Sequence, residues 1–121
     1  APRRVMVVDD NVDHAESLAL LLQHAGHHTR IAHNGKDALA LARDFEPQFV
    51  FLDIGLPGMS GYEVARSFRA DPARRDAVLI ALTGWGAEGD RRAAELAGFD
   101  RHLTKPVEPT VLREALAQPG R

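Results

Sequence analysis

Two periodicities alternate along this 121-residue chain, and that alternation leaves few folds open. Strand-like apolar runs cover Arg4 to Asp9, centred on Val5-Met6-Val7-Val8, then Phe49 to Asp53 and Ala77 to Thr83. His28 to Ala32 and Phe99 to Leu103 read as shorter, more polar strands. Helical spacing fills the intervals. Val12 to Ala25 carries Leu18, Leu21 and Leu22 as core positions and is stopped by Gly26. Lys36 to Phe45 places Ala38, Leu39, Leu41, Ala42 and Phe45 on its inner side. Ser60 with Glu63 forms a capping-box pattern that opens a helix through Val64, Ala65 and Phe68. Ala87 to Ala97 is a helix ended by Gly98, and Pro109 to Ala117 a last one with proline in its first turn.

Strands that alternate with helices form βαβ units and a parallel sheet. A strand covered on both faces reads as a continuous apolar run, as the first, third and fourth do here. The polar second and fifth suit the edges of a sheet. The expected fold is therefore α/β, a flavodoxin-like doubly wound sheet of five parallel strands in the order 2-1-3-4-5 with five helices. Ligands in such a sheet bind beyond the carboxyl ends of the strands. One domain over residues 1–121, with its core at about 3–117, accommodates this length.

Composition narrows the function classes. Fifteen basic against seventeen acidic residues leave a net charge of −2, which argues against direct nucleic-acid binding and against contact with an anionic membrane. No apolar run approaches the length of a membrane span. The chain has no cysteine, hence no disulfide or thiolate chemistry, and no leader pattern opens it. These features set the expectation of a cytoplasmic module, either trimmed from a longer chain or standing alone, and monomeric or weakly dimeric.

In the expected topology Asp9 and Asp10 end the first strand and Asp53 the third, its neighbour. Thr83 ends the fourth strand, and Lys105 follows the fifth. Polar side chains from distant parts of the sequence thus converge at one sheet edge. Two carboxylates about 4 Å apart repel by roughly 4 kcal/mol at an effective dielectric near 20. Three would carry raised pKa values or be relieved by a cation. An all-oxygen ligand set with room for water favours Mg²⁺. A cation there, with Lys105 and the Thr83 hydroxyl, would neutralise charge when a carboxylate meets a phosphoryl group.

These residues resemble a known family. Asp9-Asp10, the run Asp53-Ile54-Gly55-Leu56-Pro57-Gly58-Met59-Ser60-Gly61, Leu82-Thr83 and Lys105-Pro106 are similar to the signature of response-regulator receiver domains in two-component signalling, over about residues 3–117. The resemblance implies Asp53 as phosphoacceptor, with Asp9, Asp10, Asp53 and the carbonyl of Gly55 around Mg²⁺. Asp10 would bind the ion directly and Asp9 more through water. It implies Thr83 and Lys105 on the phosphoryl group, a cis Lys105-Pro106 bond, and a sensor histidine kinase or histidine phosphotransfer domain as partner. Phosphorylation would switch the face made by the fourth helix, fifth strand and fifth helix. The family commonly has Tyr or Phe three residues before the lysine, where this chain has His102; the ring would have to serve as the switch in their place. The stretch Gly98 to Pro106 looks more like receivers attached to hybrid histidine kinases than like those of DNA-binding regulators.

Other readings compete. Asp9-Asp10 could merely cap the first helix. Asp13 and His14 with those aspartates suggest a transition-metal set, but they belong on a helix turn that points them apart. His27, His28 and His33 flank an edge strand and are expected in solvent. Trp85, after Thr83, is either loop packing or a lid over the phosphoryl group. A hydrolase working through an aspartyl-phosphate would want an acid two residues after the nucleophile, where Gly55 stands. A flavin module would want a hydroxyl- and glycine-rich loop after the first strand. A degenerate receiver used only as a binding platform would not keep the full residue set.

Overall fold

The computed structural model describes residues 2–84 and 91–117. Among these, strands β1 (Arg4–Val8), β2 (His28–Ala32), β3 (Phe49–Asp53), β4 (Val78–Thr83) and β5 (Arg101–Thr104) alternate with helices α1 (Val12–His24), α2 (Gly35–Phe45), α3 (Gly61–Ala70), α4 (Arg91–Ala97) and α5 (Pro109–Ala117). All strand pairs are parallel and the order is β2-β1-β3-β4-β5. The expected doubly wound sheet is therefore present, with the two polar strands at its edges.

Alternation along each strand divides the interior into two layers. Met6, Val8, Val50 and Leu52 face one side, packed with Val64 and Phe68 of α3. Val5, Val7, Phe51 and Ile80 face the other, packed with Leu22 of α1 and Leu112 of α5. Strands β3 and β4 are buried along their whole length, which is why their sequences show no polar alternation.

Helix starts follow the side chains that can satisfy free N–H groups. Asn11 caps α1 by accepting from the His14 amide, Asn34 caps α2 by accepting from Asp37, and Ser60 caps α3 by accepting from Glu63. No helix among the described residues is long and apolar enough to cross a membrane.

Several expectations shift. Leu21 is not core: it is 38% exposed, because the buried face of α1 is set by Ala15, Leu18, Ala19 and Leu22. The fifth strand runs from Arg101 to Thr104, not from Phe99 to Leu103. The amides of Gly98 and Phe99 are already engaged by the Glu95 and Ala94 carbonyls, which closes α4 before pairing begins. Of the expected fourth helix, residues 87–90 lie outside the described residues, as does Trp85.

At the amino edge of the sheet, Arg69 of α3 ties several segments together. Its guanidinium donates to the carbonyls of Gly98 (2.8 Å), Arg75 (2.7 Å) and Ala77 (2.7 Å), and to the Asp100 carboxylate (2.7 Å). Asp100 also accepts from the Leu79 amide at 2.8 Å, so one ion pair joins α3, β4 and the turn before β5.

At the same edge, His27 Nδ1 accepts from the Arg3 amide at 3.0 Å, which requires an unprotonated nitrogen. Burial first, then positive neighbours including Arg3, hold this ring below the usual imidazole value of 6.5. As pH falls through that value the unfolded chain takes up the proton before the folded one, so folding stability drops. Urea midpoints between about pH 7.5 and 5.5 should fall less steeply for His27→Gln than for wild type. Equal slopes would show that another group is responsible.

Candidate functional site

The register places the acids. Val8 pairs with Leu52, so Asp9 and Asp53 leave adjacent strands at the same level. Asp9 is 2% exposed; its Oδ1 accepts from the Asn11 amide at 3.0 Å. Because Asn11 caps α1, neither Asp9 nor Asp10 is consumed in that role. Asp53 is 9% exposed, and its Oδ1 accepts from the Gly55 amide at 3.0 Å. Asp10 is exposed, yet one oxygen from each of Asp9, Asp10 and Asp53 lies within 4.8 Å of the other two. Asp13 and His14 are not part of that group.

Lys105 enters from beyond β5. Its amide donates to the Thr83 carbonyl at 2.7 Å, and its bond to Pro106 is cis. The ammonium lies 3.0 Å from Asp9 Oδ2 and 3.3 Å from Asp53 Oδ2, bridging two buried carboxylates. Burial pushes Asp53 up, against the Gly55 hydrogen bond and the Lys105 charge, and Asp9 adds to the rise, so its carboxyl sits above the usual range. Burial pulls Lys105 down, but the hydrogen bond to Asp9 and the charges of Asp53 and Asp9 together outweigh it and keep the ammonium firmly charged.

Thr83 is 4% exposed, and its hydroxyl faces the Leu103 carbonyl at a long 3.5 Å. His102 pairs with Ala81 across the β4–β5 ladder, half-buried. Its Nε2 is buried without a hydrogen-bond partner among the described residues, beside a hollow lined also by Ala94, Glu95 and Phe99. The structure thus brings Asp9, Asp10, Asp53 and Lys105 together and holds Thr83 and His102 on the adjacent strands.

One further residue reaches the site. The Nδ1 of His33 is 2.9 Å from the Asp9 carbonyl; a carbonyl only accepts, so this nitrogen carries the proton. His33 was expected in solvent, and its ring is exposed but tied at this end. The pairing of Val8 with Ala32 contains the missed signal, since it sets residue 33 beside residue 9.

A cleft of about 620 Å³ opens next to the acids, lined by Leu18, Leu21, Val107 and Pro106 as well as Asp9 and Lys105. Three carboxylates against one ammonium leave negative charge uncompensated, and every donor is a hard oxygen. The set suits a hard divalent cation that retains water.

The family of the response regulator receiver domain matches residues 5–117. This chain belongs to that family. The receiver is 33% identical over 106 residues to the polar-differentiation response regulator DivK of Brucella anthropi, covering 88% of this chain and 86% of that one. The structure of the chemotaxis protein CheY4 of Vibrio cholerae superposes with a TM-score of 0.89 at 26% identity, covering 96% of this chain and 97% of that one. The receiver domain of a sensor histidine kinase from Pseudomonas aeruginosa superposes with a TM-score of 0.86 at 28% identity, over 96% and 95% of the two chains; its active site cleft coordinates a magnesium ion. As a receiver of a two-component system, the chain is a signalling switch rather than a metabolic enzyme.

Proposed function

We propose that this receiver takes a phosphoryl group onto the carboxylate of Asp53, from a phosphohistidine on a sensor histidine kinase or phosphotransfer domain. The observation that carries the reading is the buried Asp53 carboxylate beside Asp9, with Lys105 bridging the two. In the transfer, an Asp53 oxygen forms a bond to phosphorus as the donor's N–P bond breaks. The donor imidazole leaves with the electron pair and regains a proton from solvent.

Each residue has a part that its position supports. Asp9, Asp10, Asp53 and the Gly55 carbonyl would hold Mg²⁺, with Asp10 direct and Asp9 more through water. The ion supplies charge neutralisation between two anionic partners. Lys105 neutralises the site before transfer and would turn to the phosphoryl oxygens after it. The Gly55 amide, already on Asp53 Oδ1, keeps the carboxylate oriented. Among the described residues the Thr83 hydroxyl has only a long contact to leave in turning toward the new phosphoryl group. His102 would follow it inward and alter the surface of α4, β5 and α5.

Incubation with acetyl phosphate and Mg²⁺ is expected to add one phosphoryl group, mapped to Asp53 by peptide mass spectrometry, and chelation of the metal should prevent it. Phosphate mapped to any other residue, or uptake undiminished in chelator, would overturn the assignment. Mg²⁺ affinity should also weaken as pH falls, because protons compete for the raised Asp53 carboxyl.

A further inference from the structure

The segment that leaves β3 folds back onto its own start. Ile54 donates its amide to the Leu82 carbonyl at 3.2 Å, and its own carbonyl accepts from the Gly61 amide at 3.1 Å. The first residue of α3 therefore lies directly on the peptide that follows Asp53. A Cβ added at Gly61 would stand 2.6 Å from the Asp53 carbonyl oxygen, 2.7 Å from the Ile54 Cα and 3.2 Å from the Asp53 carbonyl carbon. All three are backbone atoms, so no side-chain rotation relieves the clash. Gly58 in the same segment has φ 73°, but Gly61 is not among the residues with positive φ. Its backbone conformation does not call for glycine; only the space does.

We propose that Gly61 is a positioning residue for the phosphoacceptor: it lets the start of α3 rest on the Asp53 carbonyl and so sets how far Asp53 and the Gly55 peptide project into the acidic cleft. The inference rests on the reading of Asp53 as acceptor and of Asp53 and Gly55 as holders of the cation. A side chain at 61 must push α3 or the end of β3 away. Both are held, α3 by the Ser60 cap and by Val64, Ala65 and Phe68 in the core, and the end of β3 by its pairing with β4; because the Gly61 amide is bonded to the Ile54 carbonyl, displacing either one disturbs the peptides between Asp53 and Gly55. Asp53 and the Gly55 amide bonded to it then shift together, relative to an Asp9 that is held separately by β1 and Asn11.

Gly35 provides the control. A Cβ there would meet Val64 Cγ2 at 2.7 Å and Met59 Cβ at 3.1 Å, which are side-chain atoms outside the cleft. Mg²⁺ titration by calorimetry in Gly61→Ala should give a dissociation constant about tenfold above wild type, as for other groups that support metal ligands. Gly35→Ala and Ser60→Ala should lose stability yet bind Mg²⁺ within about twofold of wild type. Wild-type affinity in a folded Gly61→Ala would overturn the proposal.

A measurement on the wild-type protein decides the matter should Gly61→Ala fail to fold. If opening the Gly61–Ile54 bond disables the cation site, exchange protection of the Gly61 amide should rise about tenfold at Mg²⁺ ten times its dissociation constant. The Gly26 amide, bonded to Gln23 at the far end of α1, should not respond. Unchanged protection at Gly61 overturns the proposal. Phosphorylation surviving in Asp53→Asn overturns the acceptor assignment itself, and the inference with it.

Discussion

Asp53→Asn is expected to abolish phosphoryl uptake altogether while making the metal-free protein more stable at neutral pH. The first effect follows from chemistry: an amide oxygen lacks the charge that makes the carboxylate a nucleophile, and Asp9, the other buried acid of the site, is poorly placed to substitute. Asp9 is buried and engaged by Lys105 at 3.0 Å and by the Asn11 amide at 3.0 Å. The second effect follows from linkage. Burial raises the Asp53 carboxyl above its unfolded value of 3.8, so between that value and its folded one the folded state holds the proton longer. Stability is lost as pH rises through this window, and the deficit persists at neutral pH. Asparagine carries no such deficit, while Lys105 keeps its contact with Asp9. The urea midpoint of Asp53→Asn should therefore exceed wild type at about pH 7, and the gap should close as pH falls toward about 4. A midpoint below wild type at neutral pH would mean that the contact with Lys105, rather than burial, dominates the energetics of Asp53.

The sheet was legible because its signal is repeated. Continuous apolar runs at Val5–Val8, Phe49–Leu52 and Val78–Leu82 specify strands covered on both faces, and the polar second and fifth strands fit the edges of the order β2-β1-β3-β4-β5. The convergence of Asp9, Asp10, Asp53 and Lys105 follows from that order, since each ends or follows a strand. What was not legible depends on competing local signals and on tertiary partners. Phe99 reads as strand by type, but the Gly98 cap of α4 takes its amide, a local competitor that outweighs its strand preference. Leu21 reads as core by spacing, whereas the face of α1 that packs on the sheet, Ala15, Leu18, Ala19 and Leu22, leaves it beside the cleft. Arg69 has no sequence signature, because its carbonyl partners are set by where three chain segments meet. The need for glycine at 61 is likewise invisible in φ preferences and arises only where α3 returns to the Asp53 peptide.

Lys105→Ala is expected to separate two functions of one side chain. In the absence of a cation, Lys105 is the positive charge facing Asp9 and Asp53, whose side chains are 3% and 13% exposed. Removing one member of a fully buried pair costs about 3–5 kcal/mol. Here the lysine is 21% and Asp53 13% exposed, so solvent screens the charges left behind, and a loss of roughly 1–2 kcal/mol is expected near neutral pH. The Asp53 carboxyl should rise further, since a counter-charge that lowers it is lost. Mg²⁺ behaves oppositely. The ammonium occupies one oxygen of each of two prospective ligands, so the cation no longer displaces it, and affinity at about pH 8 should stay within about threefold of wild type, under 1 kcal/mol. Phosphorylation would still place charge on Asp53, but with no ammonium to meet it, beryllofluoride with Mg²⁺ should leave the chemical shifts of α4, β5 and α5 near their unliganded values. Circular dichroism melts, calorimetry and amide spectra of one preparation read the three consequences separately. A collapse of Mg²⁺ affinity at that pH would show that Lys105 organises the ligand set itself, and its assignment to the phosphoryl group would then be wrong.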